Sequence, residues 1–296
     1  VLAEAYKKEG PLFTYGPLIH NKQVLELLET KGIRSVSDLK GLHSGGIVIR
    51  AHGIPPQKRR AIKETGLKVI DATCPRVARV HAIIRAHSRK GYETIIVGDE
   101  DHPEIIGLIG YSESPVHLIQ DVKDVPPLPR MERAFVVAQT TQDEKKFHKV
   151  VKALKERFPG ILVFNTICDA THHRQKEVRS FRGQVDAVVV AGGYHSGNTR
   201  RLAQVAREEG LPTFQVETEK DLEKEKLSGM EVIGVTAGAS TPNWMINNVV
   251  REIEGIRGRG ESLFSRFIKS IVKFLALSNL LVAGGALCLA YALSIL

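Results

Sequence analysis

Two of the three cysteines in this 296-residue chain follow apolar runs that end in short polar tips. Cys74 stands in "VIDATCPRV", and Cys168 stands in "LVFNTICDAT". A cysteine at such a strand end can be a small buried apolar residue, a nucleophile activated by a neighbouring histidine, or a thiolate ligand of iron or zinc. Neither belongs to a C-x-x-C pair, which argues against a zinc ribbon. Two thiolates alone under-coordinate a metal cluster, and Cys288 lies in an apolar tail, so the residues leave these alternatives open.

The other polar tips carry histidines, hydroxyl and amide side chains, and one acid. They supply His20, His52, His102, Glu104, Thr140, Ser196, Asn198 and Ser240. Such groups, together with backbone N–H groups at helix N-termini, can surround a phosphate. Each also has a plainer interpretation, because a histidine often makes local hydrogen bonds and a Glu, Ser or Asn at a helix start often caps the helix.

The elements that must position these tips repeat along the chain. An apolar run ends in a polar or glycine-rich tip, and a helical pattern follows, as in "GGIVIRAHG", "ETIIVGDEDHPE" and "VDAVVVAGGYHSGNTRRLAQVA". Runs of Val and Ile without alternation are typical of strands covered on both faces, as in parallel sheets. The pattern predicts an α/β fold, whose ligands bind beyond the carboxyl ends of the strands. The chain has more tips than the strands of one short sheet could provide, so we expect several small α/β lobes facing a common centre.

Composition narrows the function classes. The net charge of +9 favours an anionic small molecule over nucleic acid, because the basic residues are mixed with acids and only 6% of residues are aromatic. Three cysteines in a chain of this length do not form a disulfide framework, which predicts a reduced, cytoplasmic setting.

The last residues differ in kind from the rest. No charged residue occurs from Phe274 to Leu296, a run longer than the roughly 20 residues that cross a bilayer as a helix. We therefore predict a linker at 257–266 and a transmembrane helix at 267–296, with attachment to a membrane or the start of a fused membrane domain as its consequence. The alternative is a buried C-terminal helix.

Eight tips, in order, resemble those of the 4-hydroxy-3-methylbut-2-enyl diphosphate reductase (LytB) family. The matching stretches run from about residue 10 to residue 256 and read "GPLIHN", "AHGIPP", "DATCP", "GDEDHPE", "AQTT", "NTICDAT", "SGNTRRL" and "TAGASTP". The resemblance implies three small α/β lobes with mostly parallel sheets around a central 4Fe–4S cluster, each lobe supplying one cysteine. The implied lobes are 1–74, 75–164 and 165–256.

The resemblance also implies an activity. Family members convert (E)-4-hydroxy-3-methylbut-2-enyl diphosphate to isopentenyl and dimethylallyl diphosphate by reductive dehydroxylation, the last step of the methylerythritol phosphate route to isoprenoids. An electron donor such as ferredoxin or flavodoxin is expected. The alternatives are a non-catalytic diphosphate-binding module on a membrane anchor, or a reductase fused to a membrane prenyltransferase.

Residue roles follow by resemblance. Cys74 and Cys168 match two of the cluster ligands, and the first ligand belongs to a Gly-Phe-Cys motif expected upstream of Val1. We therefore expect a truncated copy that is inactive as given. Glu104 matches the proton source, and Thr140 the residue that relays or orients the proton.

Seven more positions match residues that bind the substrate, mostly through its diphosphate. These are His20, His52, His102, Ser196, Gly197, Asn198 and Ser240. Thr140 belongs to the same set. Gly197 departs from the family pattern, which often has Ser there, so that contact would come from a backbone N–H.

Overall fold

The computed structural model describes residues 10–258 of the chain. The predicted helix at 267–296 and most of the predicted linker lie outside the described residues. Over 10–258, no helix is both long and apolar enough to cross a membrane.

The first sheet has four parallel strands in the order β2-β1-β3-β4. Its strands are β1 (Leu12–Tyr15), β2 (Ile33–Val36), β3 (Gly46–Ile49) and β4 (Lys68–Asp71). The helices α1 (Lys22–Thr30) and α2 (Pro56–Glu64) connect them. Helix α1 joins the neighbours β1 and β2, and helix α2 joins the neighbours β3 and β4, whereas the chain from β2 to β3 passes over β1. Because all four strands are parallel, their carboxyl ends lie at one edge of the sheet.

The second sheet also has four parallel strands, in the order β6-β5-β7-β8. Its strands are β5 (Glu93–Val97), β6 (Val116–Ile119), β7 (Ala134–Ala138) and β8 (Leu162–Phe164). The helices α3 (Pro75–Ser88), α4 (Pro103–Ile109) and α5 (Glu144–Arg157) belong to this lobe. Helix α3 starts directly after the tip of β4, so it connects the first sheet to the second.

The third sheet has three parallel strands in the order β10-β9-β11. Its strands are β9 (Ala187–Ala191), β10 (Thr213–Val216) and β11 (Ile233–Ala237). Its helices are α6 (Asp169–Ser180), α7 (Gly197–Glu208), α8 (Lys224–Leu227) and α9 (Asn243–Gly258).

Every strand pair among residues 10–258 is parallel. The prediction of three small α/β lobes with mostly parallel sheets is therefore confirmed. The described chain divides into two compact units, of which the first holds residues 10–19 and 24–169 and the second holds residues 20–23 and 170–258. The first unit thus contains two sheets and the second unit contains one. The lobe boundaries inferred from the sequence remain predictions.

The second sheet explains why its strands read as unbroken apolar runs. One face packs against α5 through Ile95, Val136, Phe147 and Leu154. The other face packs against α3 and α4 through Ile84, Ile96, Leu108 and Phe135. Because helices cover both faces, successive strand residues are buried on alternate sides and none needs to be polar.

Proline marks the start of the helices that follow three of the tips. Pro56, Pro75 and Pro103 occupy the first turns of α2, α3 and α4. Proline suits this position because its missing N–H is not needed there and its fixed φ is helical. The strands β3, β4 and β5 therefore each end in a short tip that leads into a helix, which holds the tip residues close to the sheet edge.

The core of the second lobe yields a stability prediction. Phe147 is 1% exposed and lies in the cluster between β7 and α5. Phe147→Ala should lower the free energy of unfolding by about 3–5 kcal/mol, because it removes a buried ring and leaves a cavity. The adjacent His148 is exposed, so His148→Ala should cost less than about 0.5 kcal/mol. Urea denaturation followed by circular dichroism measures both values, and equal losses would contradict this packing.

Candidate functional site

The predicted site residues divide between the two units. The first unit contains Cys74, Cys168, His52, His102, Glu104 and Thr140. The second unit contains His20, Ser196, Gly197, Asn198 and Ser240. The residues of both sets follow the carboxyl ends of strands in their own unit, except His20, which follows β1 of the first sheet.

The tip of β4 carries Cys74. The carboxylate of Asp71 accepts hydrogen bonds from the backbone N–H of Thr73 at 3.0 Å and from its hydroxyl at 2.6 Å. The backbone N–H of Cys74 donates to the carbonyl of Ala51 at 2.9 Å. Since Ala51 directly precedes His52, these bonds hold Cys74 beside the turn that carries this histidine.

The tip of β8 carries Cys168. The hydroxyl of Thr166 bridges both backbone groups of Ala138, at 2.8 Å from the nitrogen and 2.5 Å from the oxygen. Two residues later, the backbone N–H of Cys168 donates to the carbonyl of Thr140 at 2.9 Å. The sulfur-bearing residue is therefore fixed against the loop that follows β7.

An ion pair joins the two cysteine tips. Arg76, two residues after Cys74, pairs with Asp169, which directly follows Cys168. The side chains are 38% and 64% exposed, so the pair contributes little to stability. The contact does show that the two cysteine tips lie near each other in the first unit.

Glu104 is the buried acid of this site. It is 1% exposed, and one of its carboxylate oxygens accepts the backbone N–H of Thr140 while the other accepts the Thr140 hydroxyl, both at 2.7 Å. Burial raises the pKa of Glu104 to about 7, although the two hydrogen bonds from Thr140 lower it. A carboxyl group with this pKa can hold and release a proton at neutral pH, which suits general-acid chemistry.

Two histidines complete the tips of the first unit. His102 caps α4, and its Nδ1 accepts the backbone N–H of Glu104 at 3.2 Å. The rings of His52 and His102 meet edge to face, with centroids 5.2 Å apart. We call the six tip residues of this unit the tip network, whose members are Cys74, His52, His102, Glu104, Thr140 and Cys168. Contacts run through this network from one cysteine tip to the other, and the Arg76–Asp169 pair closes it.

The tips of the second unit gather at the ends of β9 and β11. A Cβ added to Gly192 would lie 2.6 Å from the Thr199 hydroxyl oxygen, and one added to Gly238 would lie 2.1 Å from it. The Thr241 hydroxyl donates to the carbonyl of Ala191 at 3.0 Å. Only glycine allows this close approach, so both strand ends pack directly onto the start of α7.

Buried polar atoms of the buried Asn198 and the half-buried Ser240, both in the second unit, favour a bound ligand. Asn198 is 5% exposed, and neither its amide nitrogen nor its amide oxygen has a hydrogen-bond partner among residues 10–258. The hydroxyl of Ser240 also has no hydrogen-bond partner among these residues. A buried polar group without a partner costs about 1–3 kcal/mol, so these groups suit a bound polar molecule. Ser196 caps α7 by accepting the Thr199 N–H at 3.3 Å, and Gly197 is the buried first residue of that helix.

His20 belongs to the second unit. A Cβ on Gly193 would lie 2.3 Å from the backbone oxygen of His20, so glycine is required for this contact. The side-chain nitrogen of the next residue, Asn21, donates to the sulfur of Met245 at 3.4 Å. These contacts attach the short segment 20–23 to the third lobe.

Sequence reasoning missed the residues that hold the tips in place. Thr166 and Thr241 tie loops to strand backbones through their hydroxyl groups. Arg76 and Asp169 join the cysteine tips. A threonine next to a strand end was the only local signal for the first pair, and no local signal exists for the second.

Parallel α/β lobes with cysteines, histidines and a buried carboxyl group at their strand ends are typical of α/β enzymes, whose ligands bind beyond the carboxyl ends of the strands. The chain belongs to the LytB protein family, whose model matches residues 1–254.

Relatives in bacteria support this assignment. The chain is 43% identical over 251 residues to a 4-hydroxy-3-methylbut-2-enyl diphosphate reductase from Geobacter sulfurreducens, which covers 85% of this chain and 89% of the relative. It is 42% identical over 264 residues to the reductase of the same name from Opitutus terrae, and the alignment covers 85% of this chain and 91% of the relative.

Two solved structures share the fold. One is the E-1-hydroxy-2-methyl-but-2-enyl-4-diphosphate reductase from Plasmodium falciparum, with a TM-score of 0.80, 30% identity, and coverage of 84% of this chain and 80% of that chain. The other is an (E)-4-hydroxy-3-methyl-but-2-enyl diphosphate reductase described as the terminal enzyme of the non-mevalonate pathway. Its TM-score is 0.62 and its identity is 39%, and the alignment covers 86% of this chain and 92% of that chain.

The raised pKa of Glu104 predicts how stability depends on pH. The folded protein holds the Glu104 proton up to about pH 7, whereas a glutamate with the ordinary pKa of 4.5 releases it much earlier. The folded state therefore binds more protons in this window, and stability falls as the pH rises through it. In the wild type, the free energy of unfolding should therefore fall by on the order of 3 kcal/mol as the pH rises from 4.5 to 7, and Glu104→Gln should remove this fall.

Urea denaturation at pH 4.5, 6 and 8 measures this effect. The exposed Glu156 provides the control, because Glu156→Gln should leave the pH profile of the wild-type protein unchanged. Parallel profiles for Glu104→Gln and the wild type would contradict the raised pKa.

Proposed function

We propose that this protein is a 4-hydroxy-3-methylbut-2-enyl diphosphate reductase, which produces isopentenyl and dimethylallyl diphosphate by reductive dehydroxylation. Membership of the LytB family and relatives with this name support the activity. The observation that carries the proposal is the buried, proton-holding Glu104 within one network of contacts with both cysteine tips.

A 4Fe–4S cluster is the proposed cofactor. Its fit to this chain rests on the donor set, because Cys74 and Cys168 lie on neighbouring tips at strand ends, and thiolates are the usual ligands of such clusters. Cys74 and Cys168 would hold it. When bound, the cluster would supply electrons and Lewis-acid character.

The reaction replaces a C–O bond by a C–H bond. The substrate's hydroxyl leaves as water, and the allyl fragment takes up two electrons and one proton, so the overall reaction consumes two electrons and two protons. Glu104 is proposed to supply the proton that converts the departing hydroxyl to water. Its raised pKa keeps that proton available near neutral pH.

Thr140 is proposed to orient this proton. Its hydroxyl lies 2.7 Å from a carboxylate oxygen of Glu104, and its backbone N–H holds the other oxygen. When Glu104 is protonated, the same short contact can run from the carboxyl group to the hydroxyl. Thr140 can thereby pass on the proton while the carboxyl stays in place.

Both units offer groups suited to a diphosphate. In the first unit, His52 and His102 are proposed to donate hydrogen bonds to it. In the second unit, the proposed groups are His20, Ser196, Gly197, Asn198 and Ser240. The unsatisfied amide of Asn198 and hydroxyl of Ser240 support this assignment. Reducing equivalents are proposed to come from a protein donor such as ferredoxin or flavodoxin.

The cluster assignment predicts a spectroscopic loss. Cys74→Ser and Cys168→Ser, in protein expressed from the complete gene and purified anaerobically, should lose the brown absorbance and most of the bound iron, because each removes a thiolate ligand. Cys288→Ser is the matched control and should keep both. Iron content and visible absorbance measure the outcome, and a full cluster in both variants would refute the ligand assignment.

The proton assignment predicts a kinetic loss. Glu104→Gln should bind substrate but turn over roughly a hundredfold more slowly, the scale of a lost general acid. Glu100→Gln changes an exposed acid in the turn that precedes α4 and should retain the wild-type rate. Steady-state assays with a chemical reductant compare the variants, and a near-normal rate for Glu104→Gln would remove Glu104 from the mechanism.

A further inference from the structure

A buried histidine outside the tip network stacks on a buried tyrosine. His81 lies on α3 and is 5% exposed, and Tyr111 follows α4 and is 7% exposed. Their rings are parallel to within 7°, with centroids 3.9 Å apart. The guanidinium carbon of Arg85 lies 4.9 Å from the centroid of the tyrosine ring. The stack therefore ties α3 to the end of α4.

The His81 ring presses against the turn that carries His52. Gly53 has a φ of +69°, and a Cβ there would lie 2.6 Å from His81 Cε1 and 3.2 Å from His81 Nε2. A Cβ on Gly107 of α4 would lie 3.5 Å from the backbone oxygen of His52 and 3.8 Å from His81 Nε2, so α4 also approaches this turn. The turn thus packs closely against both the histidine ring and α4, and at position 53 glycine is the residue that fits both the space and the positive φ.

The chemistry of His81 favours a role through shape. Burial, together with the charge of Arg59, lowers the pKa of His81 to about 4, so the ring is neutral at neutral pH. The charged groups that face it are Arg59, Asp71 and Arg85. Its Nε2 has no hydrogen-bond partner among residues 10–258. A neutral ring whose Nε2 makes no hydrogen bond affects its neighbours through packing contacts.

We propose that the His81–Tyr111 stack is a positioning element that fixes the His52–Gly53 turn, and so sets the direction in which His52 meets the diphosphate. The inference rests on the proposed function, because it assumes that His52 binds this ligand. His81 touches the turn and not the substrate. Small displacements of a binding group weaken ligand binding steeply. Loss of the His81 ring should therefore lower the affinity for the diphosphate.

Substrate binding, measured by calorimetry, tests the proposal. His81→Ala should weaken the affinity for (E)-4-hydroxy-3-methylbut-2-enyl diphosphate about tenfold, and in assays KM should rise more than kcat falls. His81→Phe keeps a flat ring against Tyr111 and Gly53, so it should restore affinity to within about threefold of the wild type. If His81→Phe binds as weakly as His81→Ala, the contact role of the ring is refuted.

His87 provides a matched control on the same helix. Its ring packs against Tyr92, Phe135 and Phe164, with centroid distances of 6.0, 5.2 and 4.7 Å, and none of these residues belongs to the tip network. His87→Ala should lower stability but leave substrate affinity unchanged. Wild-type affinity in His81→Ala, or an equal loss in His87→Ala, would overturn the proposal.

Gly53→Ala tests the contact directly. The added methyl should collide with the His81 ring and weaken substrate binding, and the loss should be smaller in the His81→Ala background, where the ring is absent. Strictly additive effects would contradict the proposed contact. If the cluster-loaded wild-type protein itself binds no substrate, the proposed function fails, whereas wild-type binding that is insensitive to His81 refutes the positioning role alone.

Discussion

The buried carboxyl group of Glu104, held at both oxygens by Thr140, is the interaction on which the geometry of this site depends. It joins the helix that follows β5 to the loop that follows β7, and the carbonyl of Thr140 in turn holds Cys168. Burying an ionised carboxylate is unfavourable even when it is well hydrogen-bonded. Glu104 therefore stays protonated, and so uncharged, up to about pH 7. The same contact therefore serves as a structural tie and as a store for a reactive proton.

Parallel topology makes such a contact available. Since the strands of one sheet run in one direction, their carboxyl ends lie at one edge, and the chain leaves most of these ends through a short tip into a helix. Helix α3 extends this arrangement across two sheets, because it begins beside Cys74 and packs its apolar face into the core of the second lobe. A cysteine from the end of the first sheet and one from the end of the second are thereby brought to neighbouring tips.

Much of the fold and most tip residues could be predicted from the sequence, because their signals are local. Unbroken Val and Ile runs predicted parallel strands, and glycine and proline marked the tips. The pairing of tips was not predictable in this way. Arg76 and Asp169 are 93 positions apart, and Glu104 and Thr140 are 36 apart, so their contacts depend on the order of strands in the sheet. Resemblance to a known family, and not the spacing of residues, linked the cysteines to a cluster.

His81 shows a different limit of sequence reasoning. It occupies an apolar face of α3 beside Val77, Val80 and Ile84, so hydrophobic periodicity marks it as an ordinary core position. Its relation to the His52 turn depends on a close approach to Gly53 that no pattern in the sequence records. Residues that place functional groups are harder to find than the functional groups themselves, because their chemistry is that of the core.

Direct titration of Glu104 tests the central claim of a buried carboxyl that holds its proton at neutral pH. Carbon-13 spectra of protein labelled at glutamate carboxyl carbons, compared with spectra of Glu104→Gln, identify its resonance and follow it with pH. The structure predicts a midpoint near 7 for the signal that the variant lacks. A midpoint near the ordinary value of 4.5 would show that Glu104 is ionised at neutral pH and would contradict its assignment as the proton store.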